Sequence, residues 1–204
     1  MSRARCSSRA LTYQYKPTTV LKGGIRMKQI TSALILTAAV VLGCSTARTQ
    51  TSQKPTVASE RPKIAFLAGT FSTVVSIPPS PPMPKGMSAK GTSTVGWILD
   101  STFLSIDDQN SLFGRYKAHG VLGFDAQEGQ FVLTMYNNFG DHPSYHGSFV
   151  GDTLVLLAKI PSPRGTFEQK LQWYKEGNAV KLKIQNDMGK GFMPVMEQVA
   201  TRTN

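Results

Sequence analysis

Arg115-Tyr-Lys-Ala-His-Gly-Val-Leu-Gly-Phe-Asp125, Ala126-Gln-Glu-Gly129 and Gln130-Phe-Val-Leu-Thr-Met-Tyr-Asn137 decide the fold. Two runs of strand-forming residues flank a short polar turn, the pattern of a β-hairpin. In the first run Tyr116, Ala118, Leu122 and Phe124 share one parity, and Arg115, Lys117 and His119 the other. In the second, Phe131, Leu133 and Met135 fall on one face. A period of two assigns each apolar set to one side of a sheet. A slip by one residue would bury three basic side chains, so the register is strongly specified.

The same unit recurs on both sides. Lys63–Ile77 reads as a first strand region, and Thr92–Ile98 with Thr102–Ile106 as a hairpin turning at Asp100-Ser101. Asp107-Asp-Gln-Asn110 has the composition of a further turn. Tyr145–Val150 and Thr153–Lys159 pair across Gly151-Asp152, a strong two-residue turn signal. Phe167, Leu171 and Trp173 alternate with polar residues, as do Val180, Leu182 and Ile184. Asn186–Gly191 is the last turn and Phe192–Thr201 the last strand. Five prolines between 78 and 84 exclude a central strand there. That segment is a connection, or a lid that dips Met83 and Met87 into a cavity mouth. The pattern predicts an all-β domain over 63–204, an antiparallel up-and-down meander of about 8–10 strands closed into a barrel. Closure removes the exposed edges, and a barrel of this size holds side chains or one small ligand.

The amino-terminal third differs. Of the 204 residues, 1–28 carry seven basic side chains and no acid, whereas 29–204 carry 16 basic and 12 acidic ones. The net charge of +11 is therefore concentrated outside the folded part, which lacks the basic cluster that nucleic-acid binding needs. Met27-Lys28 begins a basic head, followed by the apolar run Ile30–Leu42 and then Gly43-Cys44. This is the length of a signal-peptide core and too short for a membrane-spanning helix, which needs about 20 residues. Val41-Leu-Gly-Cys44 resembles the bacterial lipobox, which implies a signal peptide over 27–43 and a lipid-bearing thiol at Cys44. Residues 1–26 then read as a non-native extension ahead of the true start at Met27. Residues 44–62 are polar and without period, a flexible tether of roughly 25 Å reach. The location that follows is the bacterial envelope, on the periplasmic face of the outer membrane, with the membrane as partner through the lipid.

The chain from about Ala65 to Arg202 resembles a bacterial family of unknown function with a calycin-like (lipocalin-like) barrel. The matching pieces are Leu67-Ala-Gly-Thr-Phe71, Gly120-Val-Leu-Gly-Phe-Asp125, Gly147-Ser-Phe-Val-Gly-Asp-Thr-Leu154, and Met196-Glu197 with Thr201-Arg202. Two departures are visible. Phe66 and Phe71 stand where that family often has tryptophan, and Asn137-Asn138 where it usually has an acid and a serine. The resemblance implies a fold more than an activity. Some related barrels hold haem through a histidine, and His146 is the position such a role would fall on.

The chemistry readable from the residues is thin. His142 and His146 lie four apart beside Asp141, but Pro143 stands between them, so they are not a helical zinc motif. No nucleophile motif occurs, and both cysteines, Cys6 and Cys44, precede the barrel. Gly120-Val-Leu-Gly123 precedes a turn rather than a helix, so it reads as close strand packing instead of a nucleotide loop. No catalytic residue, metal site or cofactor is expected. The candidate ligand-binding residues are Tyr116, Phe131, Met135 and Trp173 as one apolar lining, with His146. Three readings stay open: a non-enzymatic barrel for a small apolar ligand, a filled barrel acting through its surface, and a histidine-dependent enzyme using metal or haem.

Overall fold

Ten strands, most with alternating burial, form in the computed structural model, which describes residues 54–203 except 82 and 164. The signal segment, Cys44 and the start of the tether lie outside the described residues. The strands are β1 (Gly69–Ile77), β2 (Met87–Ile98), β3 (Phe103–Asn110), β4 (Tyr116–Asp125) and β5 (Gln130–Asn137). They continue as β6 (Ser144–Val150), β7 (Thr153–Ser162), β8 (Gly165–Glu176), β9 (Ala179–Asp187) and β10 (Phe192–Arg202). Each pairs antiparallel with its chain neighbours, and β1 pairs with β10 from Phe71 opposite Arg202 to Ser76 opposite Glu197. The result is a closed up-and-down barrel with no free edge, as the alternation predicts.

The central hairpin has the expected parity. Ala118, Leu122 and Phe124 are buried and Tyr116 half-buried, while Arg115, Lys117 and His119 are exposed. The two glycines of this strand are spacing devices. A Cβ at Gly120 would collide with the Met135 sulfur, and one at Gly123 with the Phe103 ring.

One half of the barrel is filled. Leu104, Leu122, Leu133, Leu154 and Leu156 are fully buried around Phe131. The end of this half is closed by a segment that the reading of 44–62 as tether did not anticipate. Val57–Ile64 form a helix, α1, and Ala65–Leu67 a 3-10 turn, so the first strand starts at Gly69 rather than Lys63. Thr56 and Ser59 cap α1 reciprocally, satisfying amide groups that the first helical turn leaves open. Ile64 and Leu67 enter the core beneath it. At the rim of this end, the Arg61 guanidinium lies 5.0 Å from the Trp97 ring centroid.

Two further boundaries differ from expectation. Asp107–Asn110 is not a turn but the end of β3, paired with both β2 and β4. Asn186-Asp187 likewise belong to β9. The proline-rich segment is a plain connection. Ser80 and Met83 exchange backbone hydrogen bonds of 3.0 and 2.8 Å, and Met87 begins β2.

Candidate functional site

At the end opposite α1 the barrel is hollow beside a small packed cluster of Val75, Ala89 and Leu112. The cavity, of about 850 Å³, opens between the β3–β4 loop, the β5–β6 loop and the start of β8. Its apolar wall includes Met135, Leu171, Trp173 and Ile184, and its polar groups include Asp108, Asn110, Tyr116, Tyr145, Gln169 and Gln198. This size and this mixture, mostly apolar with a few convergent polar groups, are those of small-molecule sites.

The strands place these groups by the same alternation that builds the core. On β3 the inward set runs Leu104, Ile106, Asp108 and Asn110, apolar at the closed end and polar at the open one. On β8 it runs Phe167, Gln169, Leu171 and Trp173, reaching the cavity floor at Trp173. Tyr145, inward on β6, donates from its hydroxyl to Gln169 Oε1 at 2.5 Å, and Gln169 Nε2 donates to Asn186 Oδ1 at 2.9 Å.

The mouth is held by asparagines. Asn137 Oδ1 accepts from the backbone amides of Phe139 and Asp141 at 2.9 and 3.2 Å. Asn138 bridges to the start of β4, accepting from Lys117 N at 2.9 Å and donating to Arg115 O at 2.8 Å. The pair thus fixes the β5–β6 loop. That loop presents Phe139, whose ring lies 6.0 Å from Tyr116. Across the opening, Asn110 Oδ1 accepts from Leu112 N at 3.0 Å and holds Leu112 in a buried position. The next residue, Phe113, is exposed with a left-handed φ of 49°, a strained backbone of the kind found near binding sites.

Asp108 is the unusual group. Its Oδ1 is enclosed and has no hydrogen-bond partner. Burial pushes its carboxyl above the ordinary value of 3.8, Ser93 and Gln198 favour the charged form by hydrogen bonding, and Asp107 opposes it. Burial likewise pushes the Tyr116 phenol up to about 12, with contributions from Asp108 and Asp141. The Tyr145 phenol is pushed up chiefly by burial as well. Both phenols are therefore neutral donors near neutral pH. The other ionisable groups of the cavity, Asp141, His142 and Lys159, are exposed at its rim.

Tyr116, Met135 and Trp173 are brought together here. Phe131 is not. It lies 1% exposed in the filled half, edge-on to Phe124 and Phe149 at centroid distances of 5.2 and 5.6 Å. His146 is on the outer face of β6, where Nδ1 is 3.3 Å from Gln130 and 3.6 Å from Glu128. His142 is at the mouth and His119 pairs with Asp107 on the outer wall at 2.8 Å. Among the described residues, no three His, Cys, Asp or Glu side chains are grouped as metal ligands. Sequence reasoning missed Asp108, Tyr145 and Gln169. The signal for Asp108 was available, because Leu104 and Ile106 set a parity that Asp108 continues.

No protein-family model matches this chain, and no curated protein is detectably similar to it in sequence.

Proposed function

We propose that this protein is a non-enzymatic binding barrel that carries a small, largely apolar molecule in its open half, tethered to the bacterial envelope through lipid on Cys44. The observation that supports the binding reading is the cavity of about 850 Å³ walled by Met135, Leu171, Trp173 and Ile184. A barrel serving only as a filled scaffold has no use for such a hollow, because interior atoms facing a void lose dispersion contacts. Catalysis finds little here, since the histidines point to three different places on the surface. The calycin-like resemblance and the lipobox-like Val41–Cys44 supply the carrier and envelope parts of the reading.

Binding is tested with the uncharged fluorophore N-phenyl-1-naphthylamine. We expect saturable one-to-one fluorescence enhancement, abolished by Met135→Trp, which fills the cavity from its wall. Absence of saturable binding to folded protein would refute the carrier reading. Anchoring is tested by mass spectrometry of the membrane fraction. We expect an acyl mass on Cys44 and release of the protein by Cys44→Ser, since each buried methylene contributes about 0.8 kcal/mol of membrane affinity. An unmodified Cys44 would remove the anchor.

A further inference from the structure

We infer that the cavity selects amphiphiles with a protonated amine head, received by the Asp108 carboxylate, while the apolar part lies along Met135, Leu171 and Ile184. This rests on the reading of the cavity as a ligand site. Three observations carry it. First, Asp108 Oδ1 is enclosed without a hydrogen-bond partner although it borders the cavity. Native proteins rarely leave a buried polar atom unpaired, and sites that do are candidates for a missing ion, water or ligand. Second, the ionisable side chains of the cavity are unevenly placed. Lys159, the one lysine on its wall, is exposed at the rim with Asp141 and His142. The deep part holds one carboxyl and no cation. Third, the neutral groups around it suit a cation better than an anion. Tyr116 and Phe139 place two aromatic rings near the entrance, 6.0 Å apart, and aromatic rings attract ammonium groups.

A small void of about 30 Å³ adjoins Asp108, Ser93 and Gln198. It is large enough for one water with polar partners. An ammonium group can therefore meet the carboxylate directly or through that water, and attraction of opposite charges in a poorly solvated site selects it either way. A ligand carboxylate in the same place would face an uncompensated like charge, and an alcohol would offer a hydrogen bond without charge.

The test compares octylamine, octanol and octanoate, which share one alkyl chain. It uses the unit Gln50–Asn204, which contains every strand of the closed barrel and its core. Affinities are read by calorimetry at pH 7, with displacement of N-phenyl-1-naphthylamine as the second measurement. Octylamine should bind at least about tenfold more tightly than octanol, and octanoate most weakly. Asp108→Asn preserves shape while removing the charge and should bring octylamine to the affinity of octanol, leaving octanol unchanged. Equal affinities for amine and alcohol in the unsubstituted protein would overturn the inference. So would an amine preference that survives Asp108→Asn. If the fluorophore binds but no octyl compound does, amine selection falls and the carrier reading stands. If nothing binds to the folded barrel, both fall.

Discussion

At one end of the barrel Phe131 is enclosed between Phe124 and Phe149, under Ile64 and Leu67 from the helical segment. At the other, Tyr116 and Phe139 lie 6.0 Å apart, and Phe139 is 55% exposed. The strands are the same in both halves. What differs is the inward side chain at each step: leucine and phenylalanine toward α1, then Asp108, Asn110, Gln169 and Gln198 toward the mouth. A barrel wall of one construction thus holds a packed core at one end and a polar-floored hollow at the other. The closed half supplies the burial that stabilises the fold, roughly 25 cal/mol per Å² of apolar surface. The open half gives up some of that stability where Asp108 is held without a partner for Oδ1.

The largest expected effect contrasts the two halves directly. Phe131→Ala should cost about 3–5 kcal/mol, since a fully enclosed ring leaves a cavity that the rigid wall cannot close. Met135→Ala should cost less than about 1.5 kcal/mol, because its side chain already borders empty space and loses fewer contacts. Urea unfolding of both variants measures the difference. Equal costs would mean that the hollow is filled in solution. Next comes the plug. Ile64→Ala should cost about 2 kcal/mol or more, as for other buried aliphatic truncations. A negligible change would show that α1 is not part of the cooperative unit.

The contrast between the halves also explains what could be read from the sequence. Strand count, hairpin order and barrel closure follow from apolar periodicity, which is strong in the packed half, as at Leu122, Phe124, Phe131 and Leu133. The helix escaped because Val57–Ile64 has no apolar stripe, contains Pro62 and reaches the core chiefly at its end, through Ile64, with Val57 packed against it. Its start signal was a Thr56–Ser59 box in place of the usual Glu or Gln at the third position. The open half was obscured for the opposite reason. Asp107-Asp-Gln-Asn110 has the composition of a turn, yet each residue is paired on both sides in β3. Tertiary pairing outweighed local propensity. His146 shows a parity conflict that was readable. Tyr145 and Phe149 are the inward residues of β6, which sends His146 outward.

Asp108 supplies the third prediction, with the sign reversed. Its folded carboxyl is raised above 3.8, chiefly by burial, so the folded state binds this proton more tightly than the unfolded state. Its contribution is fully present below the unfolded value and is lost as pH rises through the raised folded value. At pH 7, above the unfolded value, the wild type has therefore lost some or all of that contribution. Asp108→Asn should raise stability there by about 1 kcal/mol, because the amide has no ionisation for burial to oppose. The gain should shrink as pH is lowered toward 4. Stability curves at pH 4 and pH 7 decide the matter. A variant less stable than wild type at pH 7 would show that Asp108 is already paired inside the barrel.

The smallest effect belongs to the preceding residue. Asp107 and Asp108 are consecutive carboxylates on one strand, separated by the alternation into outer wall and interior. Asp107 has the better partner, His119 Nδ1 at 2.8 Å, yet both side chains are about half exposed or more, at 63% and 51%. Water screens that pair, and holding two mobile side chains together costs entropy. Asp107→Ala should therefore change stability by no more than about 0.5 kcal/mol, as at ordinary surface sites. It should also leave the affinity for octylamine unchanged, because the side chain faces away from the cavity. Unfolding and titration of Asp107→Ala beside Asp108→Asn make the comparison within one strand. If Asp107→Ala disturbed binding as much as Asp108→Asn, the strand's parity would no longer separate wall from site, and the polar floor assigned to the open half would have to be redrawn.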